Sequence, residues 1–310
     1  MMKYSAKRDI YPITFYYPRK IPILHGGCDK NPSKFWDGVD CHVLQGYLRL
    51  REIGKPVEIS SRPPNRGIVL CHVEHAKDIP QSEKIYMVAF LADRLRDSGI
   101  VDAWIVQNRK QTNRHSFFLE HWPQPGIVRR DASRENRVEN VVYMGRIENL
   151  DQRLRGQWWG EELKKHGLKW RVEEKVWWDY SDVDVVVALR PVIHKRLWRR
   201  LLPFVQFRKI FKPGSKLINA WMAGVPAILN EEPAFRALRK SNLDYLEANN
   251  PKEALHWLIR IKEDDKFYRR LTKNCSLRRK EFRPEKIAEE LWRIVSGPVT
   301  EGYRKKCLKA

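Results

Sequence analysis

Four basic side chains occupy positions where predicted strands end or a predicted helix begins. Arg146 and Arg190 each directly follow an apolar strand, while Lys212 and Lys216 flank the start of the next helix. In parallel α/β sheets the carboxyl ends of the strands meet at one edge, so we expect these cations to lie close together. Guanidinium forks and ammonium groups both bind phosphate well. The spacing therefore predicts a site for a diphosphate.

The segment 211–230 reads as a loop, a helix, a tight turn and a buried strand. Pro213 suits the first turn of a helix, Ser215 can cap it, and Gly224 ends it before an apolar run. The unbonded amides at such a helix start attract anions. We therefore expect Gly214 and Ser215 to contribute to the phosphate site.

Polar side chains on and after this helix are candidates for contacts beyond the phosphates. Asn219 lies three residues after Lys216, so the two side chains share one helical face. The side-chain amide of Asn219 could form a hydrogen bond with a ribose hydroxyl. Glu231 and its neighbour Glu232 follow the predicted strand, where a carboxylate can reach a ribose or another sugar. Capping of the next helix is the alternative role for Glu231.

The stretch Cys71–His75 is the densest cluster of titratable side chains. It lies at the end of a predicted strand, the edge of the sheet where chemistry is expected. His75, then Glu74, then His72 are candidates for a general base that takes a proton from a hydroxyl group, and ordinary hydrogen bonding is the alternative role for each. Alternation along the strand separates His75 from His72 and Glu74, so the cluster makes a poor zinc site.

Asp182 and Asp184 form a DxD pair, a pattern that can bind a metal. Such a site should follow a strand, whereas this pair precedes one, so we interpret it as the beginning of that strand. The sequence has no GxGxxG after a strand and no Walker A motif, which disfavours dinucleotide oxidoreductases and P-loop enzymes. We expect neither an essential metal nor a cofactor.

The composition limits the partners and the compartment. The 310 residues carry a net charge of +22, which suits nucleic acid, an anionic membrane surface or an anionic small substrate. RNP-like aromatics, zinc-finger spacing and a helix-turn-helix pattern are absent from the sequence, so nucleic acid is the weakest of these. With no signal peptide, no run of eighteen apolar residues and five scattered cysteines, we expect a reduced, cytoplasmic protein, peripheral to a membrane at most.

Alternating strands and helices predict an α/β fold made of two Rossmann-like domains. We place an N-terminal domain at 1–128, a linker at 129–140, a C-terminal domain at 141–296 and a basic tail at 297–310. Residues 1–38, rich in Pro, Tyr and Gly, are expected to form an extended lead-in. The clearest strand predictions rest on apolar runs at 68–73, 85–90, 141–144 and 183–189.

Three blocks resemble the donor-binding domain of GT-B glycosyltransferases: Val142–Arg146, Ala188–Arg190 and 212–226. In that family a strand and turn carrying Gly-Arg opens the second domain, and a helix ending in Ala-x-Gly-x-Pro contacts a nucleotide sugar. The resemblance implies two Rossmann-like domains facing across a cleft, with the acceptor and any base held by the first domain. Many members have glutamates where this chain has Asn219 and Phe211.

The implied activity is the metal-independent transfer of a sugar from a nucleotide-diphosphate sugar to an unidentified acceptor, which could be presented at an anionic membrane surface. One alternative is a sugar-nucleotide epimerase or hydrolase on the same architecture. A second is a basic nucleic-acid-binding protein without catalysis, and a third is a transferase fold retained only for binding.

Overall fold

A computed structural model describes residues 11–94, 99–191 and 212–309. The N-terminal half forms a six-stranded sheet in the order β2-β1-β3-β4-β5-β6, in which all neighbouring strands are parallel. Its strands are β1 Ile13–Tyr16, β2 Glu58–Ser60, β3 Gly67–His72, β4 Ile85–Phe90, β5 Ala103–Val106 and β6 Ser116–Phe118.

The central strands of this sheet are covered on both faces. All six residues of β3 are buried, as expected for a parallel strand that reads as a continuous apolar run. One face packs against α1, Gln45–Glu52, which continues a π-helical turn over Asp40–Leu44. The opposite face packs against the short 3-10 helix Val73–Asp78 and its flanking loops.

The C-terminal half forms a five-stranded parallel sheet in the order β11-β10-β9-β7-β8. Its strands are β7 Asn140–Met144, β8 Lys169–Glu173, β9 Val185–Ala188, β10 Ala227–Leu229 and β11 Leu246–Glu247. Among the described residues, the helices of this half are α2 Gln157–Lys165, α3 Ser215–Ala223, α4 Pro233–Leu238, α5 Pro251–Glu263 and α6 Asp265–Arg279.

The predicted linker 129–140 is bound tightly to the second sheet. The carboxylate of Asp184, fully buried, accepts hydrogen bonds from Arg130 and Arg134 at 2.8 Å each. It also accepts the backbone N–H groups of Glu139 and Asn140 at 2.9 and 2.8 Å. Asp184 therefore immediately precedes β9, at the strand entry as expected, and also fixes the segment that leads into β7.

The C-terminal end of the chain returns to the first domain, which differs from the boundary drawn at residue 296 and from the predicted tail. Helices α7 Pro284–Ile294 and α8 Thr300–Cys307 follow α6. The apolar face of α7 packs into the core that contains Phe15 and Leu50. Tyr303 donates its hydroxyl to the Lys84 carbonyl at 3.2 Å. Burial of the apolar face of α7 stabilises its packing on the first domain, although the segment is basic.

The two sheets point the carboxyl ends of their strands at each other across a cleft. The cleft is lined by the loops after β4 and β6 on one side and after β7 and β9 on the other. In the described parts of the chain, no helix is both long and apolar enough to cross a bilayer.

Candidate active site

A cavity of about 370 Å³ lies between the two domains. Its second-domain wall contains most of the predicted phosphate ligands. Its first-domain wall carries acids, histidines and aromatic rings. The residues that line the cavity include Trp36, Asp37, His42, Asp93, His121, Gln124, Arg146, Trp177, Arg190, Lys212, Ser215, Lys216 and Asn219.

Lys216 lies at the floor of the cavity, in the first turn of α3. Its Nζ contacts the Met144 carbonyl oxygen and lies 4.3 Å from the centre of the Tyr143 ring. A Cβ on Gly145 would approach this Nζ to 2.6 Å, so a larger residue there would require the ammonium group to shift. Burial, reinforced by the charge of Arg190, lowers the pKa of Lys216 to about 7.

Arg190 forms hydrogen bonds with two residues that follow β10. Its Nε donates to Glu232 Oε1 at 2.6 Å, and its backbone N–H donates to Asn230 Oδ1. The guanidinium group is therefore fixed at the end of β9, where it lines the cavity. The second carboxylate oxygen of Glu232 is buried and has no partner among the described residues.

Arg146 lies exposed on the lip of the cavity, directly after the tight turn at Gly145. The Tyr143 hydroxyl donates to the Arg146 carbonyl at 3.0 Å and fixes this turn. Gly145 has a φ of 130°, a conformation that other residues rarely adopt. Arg146, Arg190 and Lys216 therefore converge from two strand ends and one helix start, as the sequence spacing predicted.

The start of α3 differs in one detail from the expectation. The N-cap residue is Gly214, which has no side-chain cap, and Ser215 is the first helical residue. Ser215 lines the cavity, whereas Gly214 lies behind it, where a Cβ would approach Leu238 Cδ1 to 2.6 Å. The role of Gly214 is thus close packing between α3 and α4, and its contact with a ligand stays a prediction.

Lys212 reaches across the cleft instead of pointing freely into it. Its Nζ forms an ion pair with Asp93, in the loop that follows β4 of the first domain. Both side chains line the cavity and are partly exposed, 27% for Lys212 and 31% for Asp93. The fourth predicted phosphate ligand is therefore engaged by a carboxylate of the opposite domain.

Asn219 also connects the two domains. Its Oδ1 accepts the backbone N–H of Gln124 at 3.0 Å, in the proline-rich crossing between β6 and β7. The amide thus lies on the cavity wall but already has one fixed partner. Phe211, the other position at which members of the family that the sequence resembles often have glutamate, lies outside the described residues.

Glu231 lies away from the cavity. Its carboxylate pairs with Arg236 of α4 at 2.7 Å, and 48% of the side chain is exposed. Glu232, one residue later, is the glutamate whose carboxylate is mostly buried and binds Arg190. The two neighbours cannot be distinguished from the sequence, because the chain leaves β10 in an irregular turn without strand alternation.

The three predicted bases lie outside the cavity. The strand β3 ends at His72, so Glu74 and His75 belong to a 3-10 helix and the alternation argument does not apply to them. Glu74 pairs with Arg94, while His75 Nδ1 lies 3.0 Å from an oxygen of Asp78.

His72 is buried beneath Gly38, where a Cβ would lie 2.7 Å from its Nε2. Its Nδ1 accepts the backbone N–H of Glu74 at 3.4 Å. Burial lowers the pKa of His72 to about 4, so the ring is neutral at pH 7. None of the three side chains reaches the cavity in this structure, and a catalytic role for them stays a prediction.

Other titratable groups of the first domain do line the cavity: Asp37, His42, Asp93 and His121. Burial lowers the pKa of both histidines. The His42 ring stacks on Phe90 and touches the His121 ring edge-on, with centroids 5.7 and 5.1 Å apart. A strand-by-strand interpretation missed these residues because they come from three separate loops and turns.

Aromatic rings from both domains meet at one side of the cavity. The ring centroids of Trp36 and Trp177 are 4.7 Å apart, and those of Trp36 and Trp178 are 6.3 Å apart. Trp36 remains 41% exposed. These three indoles form the aromatic contact between the domains, and Trp36 and Trp177 offer faces on which a ring can stack.

Comparisons with known proteins identify the architecture. No protein-family model matches the sequence, and no curated protein sequence matches it. Among solved structures, sucrose-phosphate synthase from Thermosynechococcus elongatus aligns with a TM-score of 0.61 and 13% identity, covering 94% of this chain and 100% of that one.

Two further structures align over similar lengths. AviGT4, a glycosyltransferase involved in avilamycin A biosynthesis, aligns with a TM-score of 0.52 and 12% identity, covering 97% of this chain and 99% of that one. HepE of Anabaena, solved with UDP and glucose, aligns with a TM-score of 0.52 and 10% identity, covering 93% of this chain and 100% of that one. The protein therefore has the GT-B fold of these glycosyltransferases, with two parallel α/β sheets facing across a cleft.

Proposed function

We propose that the protein is a glycosyltransferase that takes a sugar from a nucleoside-diphosphate sugar and transfers it to an acceptor bound in the interdomain cleft. The observation that carries this proposal is the convergence of Arg146, Arg190 and Lys216 with the start of α3 on one wall of the cavity. A diphosphate presents several negative oxygens within a few ångströms. Arginine guanidinium groups can bind two such oxygens at once, and a lysine ammonium group can bind one from any direction.

The same cations supply the chemistry that the reaction needs. When the bond between the sugar and the diphosphate breaks, negative charge grows on the leaving phosphate oxygen. Arg190, fixed by Glu232 at 2.6 Å, and the ammonium of Lys216 are held in place before the reaction, so they stabilise this charge without reorganising. We propose that these groups act instead of a metal ion, and that no cofactor takes part.

The first domain would bind the acceptor. Its wall brings the exposed indole of Trp36 next to Trp177 of the second domain, 4.7 Å between ring centroids. Indole faces suit the apolar face of a sugar ring or another flat group. We therefore place the acceptor between this aromatic side of the cavity and the cationic floor.

The nucleotide can be tested directly by thermal unfolding with UDP, GDP, ADP and UDP-glucose. UDP is the first choice because HepE, which shares the fold, was solved with it. A ligand present at a hundredfold excess over its Kd should stabilise the protein by about 2.7 kcal/mol. The parent nucleosides, which lack phosphate, are the matched controls. If no diphosphate raises the unfolding temperature above that of its nucleoside, the proposal is wrong.

Turnover distinguishes a transferase from a hydrolase on the same fold. For a transferase, release of UDP from UDP-glucose should speed up when a suitable carbohydrate acceptor is added. Equal rates with and without every acceptor in a broad panel would identify water as the acceptor and favour the hydrolase.

A further inference from the structure

A groove of about 510 Å³ lies on the second domain, apart from the interdomain cavity. It runs along β11, the edge strand of the second sheet, and both α5 and α6 contribute side chains to its walls. None of the described residues that line this outer groove also lines the interdomain cavity. Its volume is within the range of small-molecule sites. The outer groove is therefore a separate candidate for a binding site.

Each of the two helices presents an aromatic ring and an arginine to the outer groove. Trp257 lies three residues before Arg260 on α5, and Phe267 lies three residues before Arg270 on α6. Residues at this spacing share one helical face. The centroids of the two rings are 6.4 Å apart, and the guanidinium carbon of Arg260 lies 4.4 Å from the Phe267 centroid. Two rings thus form the floor of the groove, with arginines above them.

The indole of Trp257 is fixed in this position. Its N–H donates to the Glu247 carbonyl oxygen of β11 at 2.9 Å, so the polar atom of the ring already has its hydrogen bond. The ring is only half-buried, and the exposed part is apolar surface that a second ring can cover. The floor of the groove is therefore preorganised for a flat group.

The outer groove also carries an excess of positive charge. A third arginine, Arg239, lines it, and Glu247 is the carboxylate among its described lining residues. That carboxylate is bound from outside the groove by Arg236 of α4, at 2.9 and 3.0 Å, and Arg239 approaches it only to 3.4 Å. Arg260 and Arg270 form no ion pair with any described residue. Their guanidinium donors are available to an anion.

We propose that the outer groove is a second binding site, for a small molecule in which a phosphate monoester is attached to a ring. Guanidinium groups bind two phosphate oxygens at once, and a phosphate monoester carries about two negative charges near neutral pH. The ring would pack on Trp257 and Phe267 while the phosphate meets Arg260 and Arg270. This inference does not depend on the sugar transfer proposed above.

Calorimetry on the full chain, with saturating UDP to occupy the cleft, tests the ligand class. The probe is phenyl phosphate, and inorganic phosphate and phenol are the matched compounds that lack the ring or the charge. We expect a Kd of about 1 mM or tighter for phenyl phosphate and binding at least about tenfold weaker for both matched compounds. Benzoate, which has the same ring and a single charge, should also bind more weakly.

Two natural sources could supply this chemistry, a sugar phosphate and a nucleotide. Glucose 1-phosphate and AMP distinguish them in the same titration, because one carries a pyranose ring and the other a base. The tighter of the two identifies the ring that the outer groove accepts. Failure of both to bind at about 10 mM would overturn the assignment.

Substitutions locate the site. Arg260→Gln and Arg270→Gln should each weaken phenyl phosphate binding at least about tenfold, because each removes a charged hydrogen-bond donor. Arg269→Gln is the matched control, since this exposed neighbour on α6 does not line the groove. Trp257→Leu should weaken phenyl phosphate several-fold and leave inorganic phosphate unchanged. UDP affinity should be that of wild type in all four variants.

Several results would overturn the proposal. These are equal affinity for inorganic phosphate and phenyl phosphate, benzoate binding as tight as phenyl phosphate, an equal loss in Arg269→Gln and Arg270→Gln, or unchanged phenyl phosphate binding in Arg270→Gln. Arg270 is exposed, so its variant keeps the test valid even if Trp257→Leu unfolds. A wild-type protein that binds phenyl phosphate in the groove but does not bind UDP would reject the proposed donor and leave this second site standing.

Discussion

The Nζ of Lys216 lies 4.3 Å from the centre of the Tyr143 ring, in a space that exists because Gly145 has no side chain. The ring and the Met144 carbonyl are its contacts at this floor. Neither gives full compensation for a buried positive charge, and the pKa of Lys216 accordingly falls to about 7. The side chain is thus half protonated near neutral pH and ready to take up a proton when an anion arrives.

UDP binding should therefore depend on pH. Arg190 lowers the pKa of Lys216, Glu232 raises it, and Tyr143, whose own pKa is raised to about 12, stays neutral. A bound diphosphate raises the pKa of Lys216, so the contribution of this side chain to affinity is complete below about pH 7 and falls by up to about tenfold per pH unit as pH rises from 7 to 9. Calorimetry in buffers of different ionisation enthalpy should reveal the proton uptake. Lys216→Arg should flatten the profile, and a flat wild-type profile would contradict this role.

Gly145→Ala should disrupt the phosphate site without a change in charge. The new Cβ would lie 2.6 Å from Nζ of Lys216, and the φ of 130° disfavours any side chain. We expect UDP affinity to fall at least about tenfold, which corresponds to about 1.4 kcal/mol. Gly160→Ala is the matched control, because a Cβ there meets nothing within 4 Å in the middle of α2. It should leave affinity unchanged and slightly stabilise the helix.

Substitution of Glu232 should weaken UDP binding much more than substitution of Glu231, although the two residues are neighbours in sequence. Glu232 fixes Arg190 at 2.6 Å and is 11% exposed, whereas Glu231 pairs with Arg236 at the surface. Glu232→Ala should weaken UDP binding by about tenfold through the loss of a fixed guanidinium orientation. Glu231→Ala should remain within twofold of wild type in the same titration. Equal effects of the two changes would show that Arg190 does not need this support.

Most of the fold follows from apolar runs in the sequence. The predictions at 85–90 and 141–144 agree with β4 and β7 to within one residue, since strands buried on both faces must be continuously apolar. The strand β1 was missed because its four buried residues lie inside the Pro-, Tyr- and Gly-rich segment 1–38, for which we expected an extended lead-in. The return of α7 to the first domain was also missed, because an amphipathic helix does not specify which core it joins.

The candidate site was predictable where one strand end determines a residue's position. Arg146 and Arg190 lie on the cavity because each comes two residues after the end of a central strand. The partners Asp93 and Glu232 were not predictable in the same way. Each lies in an irregular loop, and Asp93 meets Lys212 only because the two domains face each other. Contacts across a cleft depend on how the two domains are placed relative to each other, and local sequence patterns do not encode that placement.

The DxD pair offers a final test, of stability instead of binding. Asp184 is fully buried and accepts from two arginines and two backbone amides, whereas Asp182 makes an exposed ion pair with Arg171. Asp184→Ala would leave two partly buried guanidinium groups and two backbone N–H groups without their partner, and should destabilise the protein by about 3 kcal/mol. Asp182→Ala should cost less than about 1 kcal/mol. Urea unfolding of both variants measures the difference, and similar midpoints would refute the role of Asp184 as the anchor of residues 130–140.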